Sequence, residues 1–157
     1  MFRNSFLLRV AALGWLLAVV SGLSACAVPP SADSTLYQRL GGQAGVAVLS
    51  DRLIERTAND PRTRRSFEGV KLVPLQQSLA DYLCKVADGG CVYEGETMAD
   101  SHADLGIQAH EFDLMVAFLR DALDAQGVAT ADKNELLRRL AATRRDIVQA
   151  GVARKAP

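Results

Sequence analysis

From Gln43 to Val148 the apolar residues of this chain return at steps of three and four, broken only by short segments containing Gly, Pro or Asn. No stretch alternates as a half-buried strand does, so the pattern confines the chain to an all-α fold. After a brief helical start over 35–40 and the stop at Gly41-Gly42, residues Val46, Leu49 and Leu53, widened by Ile54, mark a helix over 43–59 that Asn59-Asp60-Pro61 ends. Thr63 to Phe67 reads as a connecting turn. Pro74 suits the first position of the next helix, where its missing N–H costs nothing. Leu75, Leu79, Tyr82, Leu83 and Val86 line that helix until Asp88-Gly89-Gly90. A short helix over 97–105 ends at Gly106, and a long one over 108–126 carries Phe112, Met115, Val116, Leu119 and Leu123 before Gly127. Thr130 offers an N-cap hydroxyl to one last helix with the stripe Leu136, Leu137, Leu140, Ile147 and Val148.

The beginning of the chain follows other rules. Arg3 and Arg9 precede an apolar run from Val10 to Val20, and a small-residue segment then leads to Cys26. Charged, apolar, small is the order of a secretory signal, and the apolar run is too short for a spanning helix of about 20 residues. Leu23-Ser24-Ala25-Cys26 resembles the bacterial lipobox, which implies a signal peptide over 1–25 and lipidation of Cys26. A tether over 26–34 containing Pro29-Pro30, a domain over 35–150 and a tail over 151–157 follow. Two of the 18 basic residues and none of the 18 acids lie in the leader, so the remainder is slightly acidic. It lacks the basic excess of a nucleic-acid binder. Membrane attachment is expected through the lipid on Cys26, facing the periplasm, and Ala27 after the cysteine points to outer-membrane sorting.

Cys84 and Cys91 stand seven apart across Gly89-Gly90. An oxidising compartment makes them a candidate disulfide, the alternatives being two small buried apolar side chains or free thiols. The two histidines, His102 and His110, both lie near the junction of the short and the long helix. No nucleophilic triad, phosphate loop or HExxH pattern is present, and Asp100 and Asp104 read as a solvated face.

Several segments together resemble the group I truncated haemoglobins. They are Leu36-Tyr37-Gln38-Arg39-Leu40-Gly41-Gly42, Asn59-Asp60-Pro61, Ser66-Phe67-Glu68-Gly69, Gly89-Gly90-Cys91-Val92-Tyr93-Glu94-Gly95, Met98 to His102 and on to Ile107, His110-Glu111-Phe112-Asp113, Asn134 to Leu137 and Arg144 to Val148. They keep the family's order over about residues 34 to 150. The resemblance implies the truncated globin fold, a two-over-two helical sandwich, and haem b as cofactor with His102 as the axial iron ligand. Phe67, Leu75, Leu79, Tyr93, Met98, Ile107 and Phe112 would line the haem slot, with His110 structural.

On the distal side the chain departs from the family. The position at which many members carry a tyrosine falls on Ile54, and the two that often carry glutamine fall on Leu75 and Leu79. Gln76 and Gln77 point off that face, and Tyr82, the nearest hydroxyl on the helix, completes the distal set but reaches in only by swinging toward the iron. The resemblance therefore implies a globin that binds oxygen, nitric oxide or carbon monoxide in an apolar distal pocket, with a reductase as the further partner. Ligand binding is favoured over catalysis: nitric-oxide detoxification wants a stable oxygen complex, and peroxidase-like chemistry wants distal acid/base groups. The competing reading is a haem-free helical envelope lipoprotein with a binding or structural role.

Overall fold

The structure is a computed structural model that describes residues 33–153, with side-chain surroundings through Val148. The proposed signal peptide, Cys26, nearly all of the tether and the last residues of the tail lie outside the described residues. Within them all regular structure is helical.

The first turn, α1 (Leu36–Arg39), is held by a reciprocal cap. Thr35 Oγ accepts the Gln38 N–H at 3.3 Å, and the Gln38 side chain accepts the Thr35 N–H at 3.0 Å. Gly41 (φ +95°) and Gly42 (φ +61°) then swing the chain through left-handed backbone, which glycine adopts freely. Helix α2 (Gly42–Asn59) ends where Asp60 turns extended, and a 3₁₀ turn (Arg64–Phe67) follows. Arg62 clamps the Asp60 carboxyl there with side-chain and backbone N–H groups, holding its pKa at about 2.

Helix α3 (Leu72–Val86) starts two residues before the expected point. Pro74 is its third residue, a position equally free of N–H demand, because the first four amides of any helix lack an internal partner. Helix α4 is shorter than the 97–105 pattern suggested. It spans Met98–His102, and Thr97 is its N-cap, accepting the Asp100 N–H at 3.1 Å. Helix α5 (Ala109–Ala125) begins with a second reciprocal cap between Gln108 and Glu111.

The expected single last helix is two, α6 (Thr130–Leu140) and α7 (Thr143–Ala153). Thr130 is the first residue of α6 rather than its cap; Ala129 holds that place without a side-chain bond. The break follows from the sequence once seen. The apolar stripe lapses between Leu140 and Ile147, and Thr143 Oγ takes the Leu140 carbonyl at 2.7 Å. Free of the α6 direction, α7 packs on α4.

Helix α2 packs on α3 and α5, while α6 closes over α1, α3 and α5. Leu36, Val46, Leu49, Leu83, Leu123 and Leu136, all at most 2% exposed, form the centre of the core. At roughly 1.5–3 kcal/mol for each side chain fully buried, this cluster is what holds α1, α2, α3, α5 and α6 together. At the far end of α3, Cys84 and Cys91 are joined, with 5.8 Å between their Cα atoms. Gly89 fits beneath that bond because it has no side chain: a Cβ would lie 2.5 Å from Cys84 Sγ and 2.7 Å from the Tyr37 ring.

Candidate functional site

His102 occupies the last turn of α4, half-buried. Its Nδ1 lies 2.9 Å from the carbonyl oxygen of Met98, one helical turn back. A carbonyl can only accept, so the ring proton sits on Nδ1 and Nε2 is left with a bare lone pair. Ser101 Oγ, which donates to the Thr97 carbonyl at 2.8 Å, lies 2.9 Å from the same Nδ1. Burial pushes the His102 pKa below its ordinary value, only partly opposed by the bond to Met98. The ring is thereby held neutral, in one tautomer and one orientation. A metal-ligating imidazole has these properties, with the second nitrogen tied to a backbone oxygen.

The other side chains marked in the sequence fall into a consistent class of exposure. Phe67, Leu75, Leu79, Tyr82, Tyr93, Met98, Ile107 and Phe112 are all partly buried, neither lost in the core nor fully in water. Ile54 differs, at 2% exposed, yet it stands outside the central cluster to which its neighbour Leu53 belongs. Leu79 packs against that cluster from outside. Helix α3, with Leu75, Leu79 and Tyr82, packs on α2 and α6, whereas α4, with His102, packs on α7. The two sets of residues thus stand on different packing units.

Tyr82 meets Tyr93 edge-on, with ring centroids 5.2 Å apart, and this contact joins α3 to the loop after the disulfide. Burial raises the Tyr82 pKa, with smaller contributions from Tyr93 and from Asp146 on α7. His110 is exposed in the first turn of α5. Two surface grooves are separate from His102. One of about 730 Å³ between α2 and α5 is spanned by the Arg56–Asp121 ion pair (2.8 Å), with Arg56 also over the Phe118 ring. Another, of about 400 Å³, lies between α3 and the loop that carries Tyr93.

Sequence reasoning missed one cluster, Arg65 with Glu111. Glu111 is 5% exposed on α5 and receives both Nε (2.8 Å) and Nη2 of Arg65, together with the Gln108 N–H at 2.8 Å. Burial alone would raise the carboxyl pKa, but the Arg65 and Gln108 hydrogen bonds outweigh it and the net shift is downward. The only sequence signal was the spacing Gln108-x-x-Glu111, a capping-box pattern. Nothing local singled out Arg65 within the run Arg62 to Arg65.

Against known proteins, residues 35–149 match the family model described as bacterial-like globin. A group 1 truncated haemoglobin of Nostoc sp. (strain MUN 8820) is 31% identical over 107 residues, covering 68% of this chain and 91% of its own. The solved truncated haemoglobin of Tetrahymena pyriformis, in its Fe(III) form, superposes with a TM-score of 0.70 at 24% identity, over 73% of this chain and 98% of its own. The 2/2 haemoglobin of Synechococcus sp. PCC 7002, solved with covalently attached haem, gives 0.70 at 23% identity over 74% of this chain and 99% of its own. The helical fold and the match over residues 35–149 define a truncated globin. The chain belongs to the bacterial-like globin family and, within it, to the group 1 truncated haemoglobins. Haem is the cofactor that goes with that family, and the donor here, one neutral imidazole whose Nδ1 proton is held by a backbone carbonyl, fits it.

Proposed function

We propose that this protein binds haem through His102 Nε2 and presents an apolar distal face to diatomic gases. The observation that carries the reading is the Nδ1–H bond from His102 to the Met98 carbonyl, which leaves Nε2 free to ligate. Haem held by His102 would supply the iron at which such a gas could bind. Met98 and Ser101 fix the ring, and Phe67, Tyr93, Ile107 and Phe112 offer apolar surface for the porphyrin. Ile54, Leu75 and Leu79 exclude water from the ligand side and offer it no hydrogen-bond donor. One such bond is worth about 1 kcal/mol, so oxygen leaves readily here. Carbon monoxide and nitric oxide, less dependent on a donor, are held relatively well.

An absorption spectrum of the protein reconstituted with haem, beside its His102→Ala variant, tests this. A sharp Soret band that shifts with carbon monoxide and is lost or displaced in the variant supports the assignment. Equal spectra for the two proteins would remove His102 as the ligand.

We further infer that the domain is anchored through a lipid on Cys26, facing the periplasm. The order of segments before Cys26 supports this, and the joined Cys84 and Cys91 suit an oxidising compartment. Cys26→Ser is expected to shift the protein from the membrane to the soluble fraction; an unchanged membrane fraction contradicts the anchor.

A further inference from the structure

Arg65 lies in the 3₁₀ turn that carries Phe67, and Glu111 immediately precedes Phe112 on α5. Besides gripping Glu111, the Arg65 guanidinium donates through Nη1 to the Leu105 carbonyl and through Nη2 to the Gly106 carbonyl, each at 2.9 Å. The Gln108 side chain donates to the same Gly106 carbonyl at 2.9 Å. Leu105 in turn gives its N–H to the His102 carbonyl at 3.2 Å. A single side chain from the turn beside α2 therefore holds the segment that leaves the His102 helix, and it is seated on a buried carboxylate.

An ordinary surface ion pair contributes little, but this one is different in kind. The carboxylate is buried and bidentate. The guanidinium also satisfies two backbone oxygens in a connection that has no helical partners for them. Only a planar fork of five donors can serve all of these at once; a lysine ammonium cannot.

We propose that Arg65 and Glu111 are positioning residues for haem. Together they clasp the Phe67 turn to the Leu105–Phe112 segment and so fix the frame in which His102 and the porphyrin-facing rings are held. The proposal rests on the reading that His102 binds haem. Opening the clasp lets the segment after His102 move, and haem escapes faster although its ligand is untouched.

The test uses the full chain, its Arg65→Lys, Arg65→Gln and Glu111→Gln variants, and two readouts. The first is amide hydrogen exchange over residues 103–108 in haem-free protein. The second is the rate at which ferric haem, once reconstituted, transfers to excess apomyoglobin. Arg65→Lys and Arg65→Gln are expected to exchange faster over 103–108 with α2 unaffected, and to release haem about 10- to 100-fold faster, the range for lost supporting contacts around a metal ligand. Glu111→Gln, which keeps size and one acceptor, is expected to fall between them and the parent. Should Arg65→Gln fail to fold, Arg65→Lys and Glu111→Gln carry the test alone. Haem transfer at the parent rate in every folded variant overturns the clasp while leaving the haem reading intact. Unchanged exchange over 103–108 overturns it as well. A parent protein that takes up no haem overturns the haem reading, and the clasp with it.

Discussion

On the α4–α5 side of the site, His102, Ser101, Gln108, Arg65 and Glu111 are joined by hydrogen bonds to one another or to the carbonyls of Thr97, Met98, Leu105 and Gly106. On the α2–α3 side, Ile54, Leu75 and Leu79 have no polar group to give. Helix α3, which carries Leu75 and Leu79, is instead secured at its far end, by the Cys84–Cys91 bond and by Arg139. That arginine reaches from α6 to the Val86 carbonyl (2.7 Å) and to Asp88 (2.6 Å). The contrast separates two tasks that a haem site has to perform. Orientation of the iron ligand needs directional bonds, because a ring turned out of line does not ligate. Retention of a polar gas needs a donor on the opposite face, and in the proposed distal set Ile54, Leu75 and Leu79 supply none.

The largest effect expected from this asymmetry is at its polar extreme. His102→Ala is expected to lose the haem band altogether. A His102→Gly protein supplied with free imidazole tests whether the lost group was the ligand itself: a band restored by imidazole locates the defect at the axial position. No restoration, in a variant that keeps its helical circular dichroism, would mean that His102 serves the fold and that the site's polar side has another purpose.

How much of this contrast the sequence contained differs between its two halves. On the apolar half the helical stripes were legible residue by residue, but that Ile54, Leu75 and Leu79 face a ligand came only from the family resemblance. Ile54, Leu75 and Leu79 fall on repeating stripes, and a stripe is a local property of three or four residues. His102 stood out as a candidate ligand only through the ordered landmarks around it, since a lone histidine carries no periodic signal. The clasp was not legible, because Arg65 and Glu111 are 46 residues apart and meet only through tertiary structure. Arg65 also sits in a basic run that looks like solvated surface. The start of α3 was misplaced because proline is tolerated throughout a first helical turn. The break between α6 and α7 escaped notice because Ala141-Ala142 is good helical sequence; what ends α6 is the Thr143 hydroxyl on Leu140 and the packing of α7 on α4.

A smaller effect is expected when the contrast is erased from the apolar side. Leu75 is half-buried in the first turn and a half of α3, where a longer polar side chain can be accommodated. Leu75→Gln supplies the missing donor, and one hydrogen bond of about 1 kcal/mol corresponds to oxygen dissociation slowed roughly five- to tenfold. Carbon monoxide dissociation is expected to change far less. Stopped-flow ligand replacement on the ferrous protein reads both. Equal slowing of the two gases would mean that the glutamine acts by blocking the exit, and an unchanged oxygen rate would place Leu75 outside the ligand pocket.

The smallest effect is in the pH dependence of the polar side. Burial lowers the His102 pKa in the folded protein, below the value of 6.5 that an exposed imidazole keeps. Between these two values the unfolded chain binds the proton and the folded chain does not, so stability rises with pH through that window. The contribution is complete above about pH 6.5 and is lost as pH falls through the folded value. Asp60 and Glu135, each held at about 2 by neighbouring arginine hydrogen bonds, stay ionised throughout, and their contribution goes only in stronger acid. Urea unfolding of the haem-free protein at about pH 7.5 and about pH 5.5, beside His102→Gln, isolates the His102 contribution because His110 is common to both proteins. The parent midpoint is expected to fall further on acidification than that of the variant. Parallel falls would mean that the His102 ring is solvated without haem and that the polar wall becomes ordered only when the group is in place.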